Sequence, residues 1–434
     1  LGFEVTEMSK RVESIAERLD IADLLDNKMA DLSGGQQQRV AIGAALAAGQ
    51  KILVLDEPTS ALDPEAALGV VMLLRKLADE SGVTVVLIEH RLERVIDQAD
   101  SLVVVNGDGS VSKGSVSSQI NNYRLVPPMV ELSQKLKWPE VPVNLTDARR
   151  LWLANRAQIA VTGRFASGEM NPASSTPLLK ATDIAVTFGQ KVAVAGVTIE
   201  LNPGRVTAVM GSNGSGKSSL LWAIHGAGAR DSGQVETSQG DPKDIKPAAR
   251  LGLVTLVPQK ASDLIFLSTL AAELEESDRI SGRPSATTAA IFASLANRVD
   301  PNLHPRDLSA GQQLSLVLAM QLAKDAPIVL LDEPTRGLDY ESKRQLAGQL
   351  KILTDEGRAL LVASHDVEFV AMVADEVLIL KNGKIQQQGL ATELLGHRGP
   401  LPSQVAQISL EDSVIAVAQC ESLVGALNQP KSLD

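Results

Sequence analysis

An apolar run, Val206-Thr207-Ala208-Val209-Met210, enters a glycine-rich octet, Gly211-Ser212-Asn213-Gly214-Ser215-Gly216-Lys217-Ser218. The chain leaves it through Ser219-Leu220-Leu221-Trp222-Ala223-Ile224, which has the apolar content of a buried helix. A strand, a loop of the pattern G-x-x-x-x-G-K-[ST] and a helix together make a cradle for phosphate. Gly211, Gly214 and Gly216 let the backbone bend until successive N–H groups point into one cavity. That cavity opens at a helix N-terminus, whose dipole also favours an anion. Lys217 can then reach the β- and γ-phosphates and the Ser218 hydroxyl can sit on Mg²⁺. The alternative, a glycine-rich turn that binds nothing, leaves the match of the whole octet to chance.

Further strand ends offer carboxylates and a base. Ile328-Val329-Leu330-Leu331 is a continuous apolar run that stops at Asp332-Glu333-Pro334. In a parallel sheet such a run delivers its last residues to the edge where ligands bind. Asp332 can hold Mg²⁺ through water, and Glu333 is placed to polarise an attacking water. Gln259 ends another apolar run; it can offer a carbonyl oxygen to Mg²⁺ or water, or be an ordinary polar loop residue. His365 closes the last core run, where its imidazole can donate to a phosphate oxygen or serve the structure alone.

What must hold these residues together is an α/β fold. The 434-residue chain is 44% hydrophobic and 21% charged, with ample material for a core and room for two or three domains. A net charge of −11 argues against a surface that coats nucleic acid. The single cysteine, Cys420, excludes an intrachain disulfide framework and a cysteine metal cluster. No apolar run approaches the ~18 residues of a membrane-spanning helix. Helical spacing marks residues 9–30, and Ser33 stands where an N-cap is wanted ahead of an alanine-rich helix. Ile52-Leu53-Val54-Leu55 and Val83 to Ile88 read as strands buried on both faces, with a helix stopped by Gly82 between them. A hairpin is expected after Asp100, antiparallel strands from Leu178 to Gly204, and helices over 270–300.

The first series returns later in the chain. Ser33 recurs as Ser309, Asp56 as Asp332 and Ser60 as Arg336 at an offset of 276, and His90 as His365 at 275. Duplication of a whole α/β domain explains this register.

With LSGGQ (32–36), two aliphatic runs ending in Asp-Glu, two Leu-Asp loops, two late histidines and a phosphate loop, the chain resembles the ATP-binding cassette ATPases over nearly its whole length. The resemblance implies an α/β P-loop NTPase fold with two nucleotide-binding domains and small C-terminal helical extensions. EHRLERV (89–95), PTRGLDY (334–340), VPQKASDLIFLSTLAAEL (257–274) and the PPMVELSQKLKWP linker (127–139) are similar to the twin-cassette ATPases of energy-coupling-factor importers, which serve vitamin and transition-metal uptake. On that resemblance Gln259 is the coupling glutamine, and Phe188 stacks on adenine unless it packs in the core. ATP held with Mg²⁺ on the loop 211–219 would be closed by Ser33, Gly34, Gly35 and Gln36 of the other cassette, an intramolecular head-to-tail pair with Asp63 and Asp339 across the interface.

The expected domains are 1–110, the C-terminal part of a first cassette; 111–177, a linker or small helical subdomain ending in a tether (161–177); 178–390, a complete cassette; and 391–434, a C-terminal extension. A segment around 400–424 faintly echoes 124–152. Lys217 precedes Ser309 by 92 residues, and the same spacing from Ser33 falls before Leu1, so the chain is expected to be N-terminally truncated. Ala310 and Ser315 depart from the first copy's Gly34 and Arg39, which predicts unequal sites. The resemblance implies ATP hydrolysis on the cytoplasmic, inner face of the membrane, with integral membrane transport subunits and a separate membrane subunit that recognises the solute. A soluble twin cassette acting on ribosomes is the alternative, disfavoured by a Pro- and Ser-rich linker that is not basic.

Overall fold

The computed structural model describes residues 4–60, 62–106, 108–121, 126–161, 176–296 and 299–422. They form two compact units, Leu1–Pro127 and Pro128–Asp434.

The first unit contains α1 (Val5–Arg18), α2 (Gly34–Ala47), β1 (Ile52–Asp56), α3 (Pro64–Ser81), β2 (Thr84–Ile88), β3 (Leu102–Val105), β4 (Val111–Gly114) and α4 (Val116–Ile120). Ser33 does cap α2: its hydroxyl accepts the Gln36 N–H while the Gln36 side chain accepts the Ser33 N–H. Asp63 caps α3, Pro64 supplies the preset first turn, and Gly82 ends the helix in a left-handed conformation. Strands β1 and β2 pair in parallel from Ile52↔Thr84 to Asp56↔Ile88, and β3–β4 is the hairpin expected after Asp100.

One expectation fails here. Strands β1 and β2 are not buried on both faces. Leu53 packs with Val70, Leu73, Leu74 and Leu77 of α3, but Ile52 and Val54 are each 64% exposed, and Val86 and Ile88 are exposed beside them. The sequence pattern records what a strand suits, whereas burial needs neighbours, and among the described residues of this unit no further strand or helix covers that face.

The second unit supplies such neighbours. It opens with α5 (Pro128–Lys135), α6 (Leu145–Asn155) and β5 (Ile159–Val161). There follow β6 (Leu179–Phe188), β7 (Lys191–Leu201), β8 (Val206–Met210), α7 (Lys217–His225), β9 (Ser232–Thr237), α8 (Pro247–Arg250) and β10 (Val254–Val257). Helices α9 (Leu270–Ser281), α10 (Thr287–Leu295) and α11 (Ala310–Leu322) lead to β11 (Ile328–Asp332), α12 (Tyr340–Asp355), β12 (Ala359–Ala363) and α13 (Val367–Val373). The unit closes with β13 (Glu376–Lys381), β14 (Lys384–Leu390), α14 (Ala391–Leu395), α15 (Gln404–Ser409) and β15 (Cys420–Ser422).

The main sheet runs β10-β11-β12-β8-β13-β14, parallel except for β14. Strands β8, β10, β11 and β12 are buried throughout, as continuous aliphatic runs require. Leu220, Leu221 and Ile224 of α7 fill one side with residues of β6 and β7, and Leu316, Val317, Leu346 and Leu350 of α11 and α12 fill the other. Because these strands are parallel, Gly211, Gln259, Glu333 and Ser364 all leave the sheet at the same edge. An antiparallel sheet, β7-β6-β9, stands beside it; β9 was not anticipated.

The interval 111–177 is shared between the units, α4 with the first and α5 to β5 with the second. Strand β5 pairs antiparallel with β15, Arg156 pairs with Glu411 at 2.8 Å, and Glu131 pairs with Arg344 at 2.8 Å. Most of the expected tether, 162–175, lies outside the described residues.

His225 ends α7 nearly buried, edge-on to Trp222 with ring centroids 6.0 Å apart. Burial, reinforced by the charges of Arg250 and Lys324, pushes its imidazole down to about 4. A depressed pKa contributes stability above the unfolded value near 6.5, and that stability is lost as pH falls toward the folded one. Acid unfolding followed between pH 6.5 and 4 should therefore flatten in His225→Phe, by on the order of 3 kcal/mol over the window.

Candidate active site

The phosphate loop is wedged between two strands. Gly216 has φ +107, a conformation that side chains resist, and a Cβ there would strike the Ala193 carbonyl oxygen of β7. A Cβ on Gly211 would strike the Leu380 carbonyl oxygen of β13. The Ser215 carbonyl accepts the Gly383 N–H at 3.0 Å, while its buried hydroxyl has no hydrogen-bond partner. The base of the loop is thus packed against both strands and holds a buried hydroxyl short of an acceptor, which suits phosphate.

Lys217 opens α7, and its ammonium turns back over the loop to donate to the carbonyl oxygens of Gly211 (2.8 Å) and Ser212 (3.2 Å). It also lies 3.3 Å from Glu333 Oε1, with the two side chains 6% and 5% exposed. On the other side of the same carboxylate, His365 Nδ1 lies 2.7 Å from Oε2. Glu333 sits just past β11 with φ +50, and Glu57 repeats this at φ +44 past β1. A strained, left-handed glutamate at both strand ends is the kind of outlier that functional geometry sustains. Burial works to raise the Glu333 carboxyl, but its contacts with His365 and Lys217 outweigh that and hold it below the usual carboxylate range.

Ser218 donates its hydroxyl hydrogen to Asp332 Oδ1 at 3.0 Å. Burial pushes the Asp332 carboxyl up to about 6, with the Ser218 hydrogen bond opposing and the Glu333 charge adding to the rise. This part-buried pair of oxygens, with the Asp332 carboxyl held up by burial, fits Mg²⁺. Ser218 and Asp332 would hold it, with Gln259 at the end of the neighbouring β10. Bound there, Mg²⁺ would neutralise charge on the phosphates.

The structure thus brings Lys217, Ser218, Asp332, Glu333 and His365 into one cluster. Gln259 is exposed just past β10, and Gly214, Asn213 and Ser212 form the exposed crest of the loop. Phe188 is exposed at the β6–β7 turn, so it is not a core residue. Ser33, Gly34, Gly35 and Gln36 belong to the first unit, where Gly34 and Gly35 sit tightly against Leu62 and Ala66. Sequence spacing did not anticipate the contact of Lys217 with Glu333. It also passed over Asp366, which caps α13, and Lys343, which pairs with it; an acid directly after the histidine was the one available signal.

The family model described as ABC transporter matches residues 3–60 and 194–336. A protein of Streptomyces coelicolor, provisionally named as an ABC transporter ATP-binding protein, is 36% identical over 96% of this chain and 79% of its own. A Bacillus subtilis protein, provisionally named an HMP/thiamine import ATP-binding protein, is 27% identical over 93% of this chain and 74% of its own. Among solved structures, that of an archaeal ribosome recycling factor bound to the ribosomal stalk protein overlays 87% of this chain and 68% of that one, with TM-score 0.58 and 23% identity. That likeness is one of fold.

Removing Lys217 would leave Glu333 a buried charge with a single partner. Lys217→Met should lower the stability of the nucleotide-free protein by about 3 kcal/mol in urea unfolding and abolish ATP binding. The double variant Lys217→Met/Glu333→Gln should regain most of the stability and none of the binding.

Proposed function

Because the chain belongs to the ATP-binding proteins of ABC transporters, which hydrolyse ATP, we propose that it energises an importer of the energy-coupling-factor type. Its cargo class is a vitamin or a transition metal, and it works on the cytoplasmic face of the membrane. Among the described residues no helix is long and apolar enough to cross a membrane, so integral membrane subunits would hold it there, one of them recognising the solute. The motifs at 89–95, 127–139, 257–274 and 334–340 support this narrower reading, as does the thiamine-related name of the Bacillus subtilis relative.

The observation that carries the enzymology is Glu333 held between Lys217 and His365 beside the Ser218–Asp332 pair. ATP on the loop would draw the Lys217 ammonium to its phosphates and leave Glu333 to polarise water. His365 would meet the γ-phosphate, and the capped helix start at Ser33-Gly34-Gly35-Gln36 would close the site from the first unit. The opposite site, with Ala310 in place of a glycine, would be the weaker one. A ribosomal role has only fold likeness behind it, and the net charge of −11 opposes it.

Glu333→Gln should keep ATP binding and lose roughly 100-fold or more in turnover, as loss of a general base does. Glu57→Gln should cost much less, and equal losses would remove the asymmetry. Affinity purification from detergent-solubilised cells should recover a polytopic membrane protein; recovery of ribosomes in its place would overturn the transport reading.

A further inference from the structure

Lys343 lies on α12 four residues beyond Asp339, which caps that helix. Its ammonium is 2.6 Å from Asp366 Oδ2, and the two side chains are 4% and 3% exposed. Asp366 directly follows His365. Its Oδ1 accepts the Phe369 N–H at the start of α13, and its own N–H donates to Ser364 Oγ. A buried ion pair adds little net stability, since desolvation offsets the attraction. What it imposes is geometry: α12 cannot slide past the His365 loop without separating two buried charges.

The internal repeat contains the same element without this pair. At offsets of 276 and 275, Lys343 and Asp366 correspond to Ala67 and Arg91, and an alanine cannot form the bridge. In that copy His90 meets Glu57 through Nε2 at 2.9 Å, with the side chains 51% and 34% exposed. In the copy with the pair, His365 meets Glu333 through Nδ1 at 2.7 Å, buried. The two ring nitrogens lie on opposite flanks of the imidazole, so the copies present opposite flanks to their glutamates.

We propose that the Lys343–Asp366 pair is a positioning device that decides which flank of His365 faces Glu333 and ties that orientation to the helix capped by Asp339. Nδ1 engagement turns the Nε2 flank away from Glu333, and with His365 read as the γ-phosphate contact proposed above, that is the flank offered to nucleotide. Neither Lys343 nor Asp366 touches the reacting atoms. The first copy lacks the constraint, which gives the two halves different histidine geometry independently of their signature residues.

The test uses the full chain and the variant Lys343→Met/Asp366→Leu, which removes both charges and so avoids a buried unpaired one. With only five histidines, ¹⁵N-imidazole spectra can follow His365 directly. The expected result is loss of the hydrogen-bonded Nδ1 signature, ATP affinity and melting temperature close to parental, and kcat reduced on the order of 10-fold to 100-fold. Lys343→Arg should retain both signature and turnover. A parental Nδ1 signature and kcat in the double variant would overturn the proposal, as would affinity, stability and kcat falling together in both variants. His365→Ala separates the premises: parental turnover there removes the histidine's catalytic reading and the proposal with it. A defective His365→Ala beside a fully active double variant removes the proposal alone.

Discussion

A carboxylate buried at the edge of a parallel sheet is the constraint on which the second unit turns. Glu333 is kept charged away from water, and that is tolerable only because Lys217 and His365 stand on either side of it. Each partner comes from a different part of the chain, one from the start of α7 and one from the end of β12. Bringing them together requires β8, β11 and β12 to be adjacent, parallel and in register, which the aliphatic runs achieve by burying both faces. The core therefore serves the charge, and the charge in turn links the glycine-rich loop to the ends of β11 and β12.

Backbone strain adds a second layer of control. Glu333 and Gly216 both occupy the left-handed region, one with a side chain and one without. For Gly216 the absence of Cβ lets the loop approach β7; for Glu333 the strain is sustained by the surrounding hydrogen bonds, including its N–H to the Ala363 carbonyl at 2.8 Å. That Glu57 shares the conformation shows the strand-end geometry survives in a copy whose strands are half exposed. Local backbone shape thus depends less on distant neighbours than burial does.

The repeat reaches further than its motifs. Helices α4 and α14 correspond at an offset of 275, and α15 falls on residues 129–134 of α5 at the same offset. The Met129 N–H donates to the side chain of Gln404, its own counterpart 275 residues on, at 2.8 Å. The contact joins the linker helix to the C-terminal extension, while the Gln404 N–H donates to Glu368. Within the faint echo between 124–152 and 400–424, these two helices share the offset, whereas α6 has no helical counterpart among the described residues.

The sequence by itself determined the phosphate loop, the helix cap at Ser33, the aliphatic strands and the recurrence of their motifs. Each of these is a short-range property, set by turn conformation, by a side chain reaching its own helix, or by periodicity within one element. Only the tertiary structure decided whether β1 and β2 would be buried, that the linker segment 128–161 packs on the C-terminal extension, that Lys217 rests on Glu333, and that Lys343 pairs with Asp366. Those outcomes depend on which distant surfaces meet. Lys217 and Glu333 are more than a hundred residues apart, and no local pattern encodes a contact made through sheet order.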